Sequence, residues 1–289
     1  HSQDIRITLN AKDGLVNLNP LSAKLYQGTY MGDMRLDVRS QIPQLAIDEK
    51  IAGIKAGPLL KDLTGDDKIL GTANINAKLT ANGATPEAIK RSLNGTTGFS
   101  FTDGAIKGIN IARVIREATA AVEGKPIPPT TEPETTDFTV LKGTITATNG
   151  LLKNTDLDAQ SPLLRVGGQG TANLVQESID YRLDVAVVKT LKGQGGKGLA
   201  DLKGITVPLK ISGTFTQPKY RVDLESIIKA KADKFIKGKK EIIEKKLEKG
   251  LDKLLGTQPE QNQGEAPTEA PSPEQQLKEE LKNKLKGIF

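Results

Sequence analysis

The sequence predicts a mainly β fold: a curved antiparallel sheet forming a groove or half-barrel, with few short helices and amphipathic helices toward the C-terminus. Three observations carry this expectation. Apolar residues recur with period two, as in Ile5, Ile7 and Leu9 near the start and Tyr181, Leu183, Val185 and Val187 further on. Turn dipeptides punctuate the runs: Asp13-Gly14, Asn82-Gly83, Asn94-Gly95, Asp103-Gly104 and Asn149-Gly150. The composition holds 29 Gly, no Trp and only 3% aromatic residues, which suits many strands and turns with small side chains. Strands of this kind have one apolar and one wet face, and the few helices visible cover only part of the apolar side.

Taken in order, the first strand signal is Ile5 to Leu9, followed by Met34, Leu36 and Val38 on one face and then Ile75, Ala77 and Leu79. Thr85-Pro86-Glu87 opens a short helix running to Leu93, with Thr85 as cap and Pro86 in the first turn. Ile109 to Val122 reads as a second helix, with Asn110 as an early cap, and the Pro- and Thr-rich segment Gly124 to Thr136 as a loop. Gly193 to Gly198 (GQGGKG) is a further loop, and Leu199 to Leu202 one helical turn. An echo links Asp13-Gly14 through Gln27-Gly28-Thr29 to Leu36-Asp37-Val38 with Asn149-Gly150 through Gln169-Gly170-Thr171 to Leu183-Asp184-Val185, as though one strand unit were used twice.

The clearest strand lies in Gly204–Leu224, GITVPLKISGTFTQPKYRVDL. Val207, Leu209, Ile211, Gly213 and Phe215 share one face, while Thr206, Lys210, Ser212, Thr214 and Thr216 share the other. Pro208 cannot donate to a ladder, so its side is expected at an edge or a break in pairing.

This wording resembles the C-terminal motif of the AsmA family. LNGTTGFSFTDGAIKGINIARVIREA, Leu93–Ala118, is similar to a second segment of that family, and the run from Phe138 through Asn149-Gly150 and Gln160-Ser161-Pro162 to Tyr181-Arg182-Leu183 resembles the meander between the two. The resemblance covers residues from about 93 to 224. It implies a place on the periplasmic side of the inner membrane of Gram-negative bacteria, an N-terminal membrane anchor and upstream domain absent from this chain, and a role in phospholipid traffic to the outer membrane and in envelope biogenesis. The opening His1-Ser2, without Met, fits a processed or excised piece, with His1 a cloning remnant.

Charge is concentrated. The chain carries +6 from 41 basic and 35 acidic residues, and Lys229 to Lys253 alone carries +5. Ile228, Ala232, Phe235, Ile236, Ile242, Ile243, Leu247, Leu251 and Leu254 follow helical spacing there, giving a basic amphipathic helix with a break or kink expected near Gly238. Lys229, Lys231, Lys234, Lys237, Lys239 and Lys240 are the candidates for a membrane surface, whose anionic headgroups would attract them. Nucleic acid is not an expected partner, because the segment has one aromatic residue and no Arg.

Chemistry is thinly represented. Absence of Cys removes disulfides and thiolate chemistry, and the single His at position 1 leaves no imidazole for a triad, a metal or a proton shuttle. GQGGKG lacks the Walker spacing, and Asp66-Asp67, Asp156 with Asp158 and Asp180 with Asp184 read as solvated strand faces. The expectation is a non-enzyme with no cofactor and no metal. Its partner is phospholipid, with the membrane surface or other envelope proteins as further partners.

The residues expected to line the groove are Val207, Leu209, Ile211, Phe215, Tyr181, Leu183, Val185, Val187, Ile75, Leu79, Leu36 and Val38. Four regions result: 1–224 as the β-groove, 225–255 as the basic helix, 256–273 as a linker rich in Pro, Gln, Glu and Thr, and 274–289 as a short amphipathic helix. The alternative is a structural or assembly factor for outer-membrane proteins, with a closed sheet and helices that recruit partners.

Overall fold

The computed structural model of this protein describes residues 2–126, 131–188 and 202–254. It divides into two compact units, His1–Lys231 and Ala232–Phe289. In the first, twelve antiparallel strands form one sheet whose spatial order is the chain order. The strands are β1 (Ser2–Lys12), β2 (Leu15–Leu25), β3 (Gly28–Asp37), β4 (Gln44–Lys55), β5 (Thr72–Asn82) and β6 (Asn94–Lys107), then β7 (Thr135–Thr148), β8 (Leu151–Gln160), β9 (Leu164–Asn173), β10 (Ser178–Val187), β11 (Thr206–Thr214) and β12 (Pro218–Val222). Each pairs only with its neighbours in sequence, β1 and β12 have one partner each, and the curved sheet stays open. Four helices complete the described chain: α1 (Ala56–Thr64), α2 (Pro86–Ser92), α3 (Ile111–Val122) and α4 (Leu224–Leu254).

Local chemistry explains most boundaries. Asp13-Gly14 and Asn149-Gly150 turn the β1–β2 and β7–β8 hairpins with all four residues at positive φ, the geometry that matches the twist of paired strands. Tyr26-Gln27 does the same for β2–β3, with φ of 47° and 68°, although neither residue advertises a turn. Thr85 caps α2 by accepting from the Ala88 N–H at 3.2 Å, and Asn110 caps α3 by accepting from the Arg113 N–H at 2.9 Å. The carbonyl of Pro208 accepts from Asp223 N–H, so its donorless nitrogen also faces the β12 side, just beyond the last ladder pair Leu209–Val222.

Several expectations are corrected. Asn94-Gly95 and Asp103-Gly104 are not turns; both lie inside β6, where Gly95 pairs with Leu79 and Ala147, and Gly104 pairs with Phe138. Glycine is needed there for close approach, since a Cβ on Gly104 would sit 2.0 Å from the Leu70 carbonyl oxygen. The echo does not mark one structural unit: Gln27-Gly28 closes a hairpin, whereas Gln169-Gly170 lies within β9. α4 runs through Gly238 and Gly250 without interruption, because roughly 1 kcal/mol per Gly is small against a surrounding run of Lys, Glu, Leu and Ile. α1 is absent from the sequence reading; Leu59, Leu60 and Leu63 give too short a periodic signal, and Gly65 at φ 79° ends the helix. The loop at 193–198, the turn at Leu199–Leu202 apart from its last residue, the linker and the terminal helix lie outside the described residues.

The core lies on one face of the C-terminal half of the sheet. Leu164, Val185, Val187, Val207 and Leu209 are buried there with Leu202 and Ile205, beneath Ile111 and Ile115 of α3 and Ile227 at the start of α4. α3 reaches both β7 and β12, so this half of the sheet curls around the helix. Near its far end Lys231 bonds Glu123, and Lys125 pairs with the same carboxylate at 2.7 Å, joining α4 to the end of α3.

Gly104→Ala should destabilise the fold by about 2–3 kcal/mol, the usual cost of overpacking against backbone. Gly167→Ala, where an added Cβ meets nothing within 4 Å, should change stability by under ~0.5 kcal/mol in the same urea titration.

Candidate functional site

Register turns the alternation of single strands into continuous rows. One row runs Ala73, Phe101, Leu141, Ala159, Val166, Val185 and Val207 across β5 to β11. A second runs Leu18, Met34, Ile47 and Leu79 across β2 to β5, and a third Tyr30, Ile51, Ile75 and Phe99 across β3 to β6. All lie on the same side of the sheet, because they alternate with Lys, Asp, Asn and Thr on every strand. At roughly 4.8 Å per strand, twelve strands make an apolar face about 53 Å long.

The two halves of this face differ in cover. From β7 to β12 it is closed by α3 and the start of α4, whereas Met34, Ile47, Ile51, Ile75 and Leu79 in the N-terminal half are only half-buried. Among the described residues α1 contacts β4 and α2 contacts β5, next to the strand ends they connect. Ile5, Ile7 and Leu9 of the edge strand are more than half exposed.

The layer on this face is thin because glycines let neighbouring side chains lie flat. Phe99 lies across Gly143, Tyr181 across Gly170, and Glu49 across Gly32; a Cβ at any of the three would stand 3.0 Å or less from the side chain named. Polar groups also enter the face. Asn154 is buried at the irregularity between β7 and β8, where its amide donates to the Thr144 carbonyl at 2.9 Å and to Asp156 at 2.7 Å, and its oxygen accepts from the Tyr181 hydroxyl. Burial first, then the charge of Asp156, pushes the Tyr181 hydroxyl up to about 12. Asp156 is held below the usual carboxylate range, chiefly by the Thr144 N–H it accepts at 2.8 Å.

The predicted lining residues fall into three groups. Leu183, Val185, Val187, Val207 and Leu209 come together as buried core beneath α3, with Tyr181 and Ile211 packed at its margin. Ile75, Leu79 and Leu36 lie half-buried on the open half of the same face. Val38 and Phe215 follow the ends of β3 and β11 and are 46% and 38% exposed. Of the six lysines, Lys231 pairs with Glu123 and Lys239 lies 4.5 Å from the centre of the Phe235 ring, inside the helix's apolar arc. Phe235, Ile236, Ile242 and Ile243 on that helix are exposed. The acidic pairs sit in cross-strand and local ion pairs, among them Lys142–Asp158, Lys210–Asp180 and Lys107–Asp67. Sequence reasoning passed over Glu49, Tyr30 and Asn154; for Glu49 a signal existed, since period two in LAIDEKI puts it with Ile47 and Ile51.

A model of the AsmA family matches residues 1–157, more than half of the chain. The chain belongs to the AsmA family. The match extends well N-terminal of the motifs at 93–224 and takes in the whole open half of the sheet. Protein AsmA of Escherichia coli strain K12 is 23% identical over 226 residues, covering 78% of this chain and 36% of that protein. This AsmA-family chain therefore spans about a third of the curated relative it matches. No solved structure matches it. The family is associated with the bacterial envelope. Among the described residues no helix is long and apolar enough to cross a membrane.

Asn154→Ala should cost about 2–4 kcal/mol at pH 7, because it strips partners from Tyr181, Thr144 and Asp156 together. The lowered pKa of Asp156 fixes the sign of a companion experiment. Its contribution is complete above the unfolded value of about 4 and is lost as pH falls through the lower folded value. Asp156→Ala should therefore lower the urea midpoint at pH 7, and the gap to the parent should narrow below about pH 4.

Proposed function

We propose that this chain holds phospholipid tails along the apolar face of its sheet and takes part in phospholipid transport between the inner and outer membranes, and so in outer-membrane biogenesis. The site of action is the periplasm, with attachment to the inner membrane through a segment N-terminal to this chain. The observation that carries the reading is the N-terminal half of the apolar face, where Met34, Ile47, Ile51, Ile75 and Leu79 are only half-buried. A strand-wide apolar surface wet on one side has a large affinity for hydrocarbon: about thirty methylene groups at ~0.8 kcal/mol each amount to over 20 kcal/mol before the costs of ordering. No catalytic group is required, since a groove that shelters tails lowers the barrier to leaving a bilayer. The lysines and exposed apolar residues of α4 suit contact with anionic headgroups.

A second reading, a structural or assembly factor without lipid, draws on the covered half, where the same face is a dry core.

Organic extraction and mass spectrometry of detergent-free protein tests the proposal. About one or more phospholipids per chain are expected, with several-fold loss in an Ile75→Gln/Leu79→Gln variant. These positions are half-buried, so the variant is expected to keep its cooperative unfolding, unlike Leu209→Asp in the closed core. A parent free of lipid that still unfolds cooperatively would favour the assembly role.

A further inference from the structure

The open half of the face contains one carboxylate. Glu49 lies between Ile47 and Ile51 on β4, and register places Gly32 and Ala77 directly beside it on β3 and β5. Two of the smallest residues thus flank a charged side chain that lies between the second and third rows described above. Gly32 is required by it: a Cβ there would stand 1.9 Å from Glu49 Oε2. That oxygen is buried, and among the described residues it has no hydrogen-bond partner. Tyr30, on the same face, has its hydroxyl raised above its ordinary pKa by burial, then by a hydrogen bond to the Glu49 carboxylate and by its charge.

An acceptor withdrawn from water without a donor is costly, and a charged one more so. Each alternating neighbour on the wet side, Asp48 and Lys50, could have exchanged places with an apolar residue at no such cost. Tyr30 is one donor to this carboxylate, but Oε2 is left without one, and the occupant of this face is placed to bring it. A hydrocarbon tail has none. A primary ammonium offers three N–H donors and the opposite charge.

We propose that Glu49, whose carboxylate lies over Gly32 with Tyr30 beside it, receives the primary ammonium of an amine-bearing phospholipid, such as a phosphatidylethanolamine. The inference rests on the lipid reading above and deepens it. It moves the head group from the rim to mid-strand, with the phosphate toward the open side of the sheet and the tails along the rows of Met34, Ile47 and Leu79 or Ile51 and Ile75.

The test is uptake from vesicles of three phospholipids with identical tails, carrying ethanolamine, glycerol or choline head groups, by the parent, Glu49→Gln and Glu49→Leu. The parent should take the ethanolamine lipid at least about tenfold over the glycerol lipid, the scale of a charge-assisted hydrogen bond. The choline lipid keeps the charge but has no N–H donor, so it should fall well below the ethanolamine lipid. Both variants should abolish the preference while taking up the glycerol lipid as well as the parent does or better. Equal uptake of the three by the parent, or a preference that survives in Glu49→Gln, would overturn the role of Glu49 and leave the tail-binding reading in place. No uptake of any lipid by a folded parent would remove both.

Discussion

Every feature of this molecule follows from one constraint: a sheet with a single apolar face has to have that face covered. Strand pairing satisfies the backbone of β2 to β11 on both sides, but it does nothing for Leu79, Ile47 or Val185, whose burial depends on what lies above them. The chain order of the sheet makes the problem long and narrow. Because every strand pairs only with its neighbours in sequence, the apolar rows run across β2 to β11, and among the described residues no second sheet returns over them.

The two halves answer the constraint differently. Around β7 to β12 the sheet curls on α3, and the result is an ordinary interior in which Ile115, Val207, Leu209 and Ile227 have no exposed surface. Around β1 to β6 the layer is kept thin by glycines under Phe99 and Glu49, and curvature is the main source of burial. The wet face needs no such provision. Its charges meet in pairs such as Lys78–Asp48 and Lys210–Asp180, which are largely exposed and contribute little stability each, so they serve mainly to keep that side in water.

Much of this was legible in the sequence because a period of two is a direct readout of a one-sided strand. Tyr181 to Val187 and Val207 to Ile211 told their faces correctly, and Thr85 and Asn110 marked their helices through caps that the structure reproduces. What the sequence could not show was cover. Leu209 and Leu79 have the same alternating surroundings, yet one lies under α3 and the other on the open half, and that difference arises from where a helix between β6 and β7 lands. Turn dipeptides misled where glycine was selected for close approach instead, as at Gly95 and Gly104. Tyr26-Gln27 made a turn with no signal at all, since the tight geometry there is imposed by the pairing of β2 with β3.

Glu49 shows how a departure from pattern can be more informative than the pattern. The alternation that places Ile47 and Ile51 on the apolar face places a carboxylate between them, and a sheet optimised only for its own stability would have an apolar residue there. A buried interior could satisfy such a group from within, as Asn154 is satisfied by Thr144, Asp156 and Tyr181. On the open half Tyr30 bonds the Glu49 carboxylate but Oε2 is left without a partner, and the carboxylate lies over Gly32, where a larger residue would have excluded it. The contrast between these two polar intrusions separates the halves of the sheet by purpose: one uses its polar group to hold a strand irregularity in place, and the other leaves a buried acceptor short of a donor on the face that has to be covered.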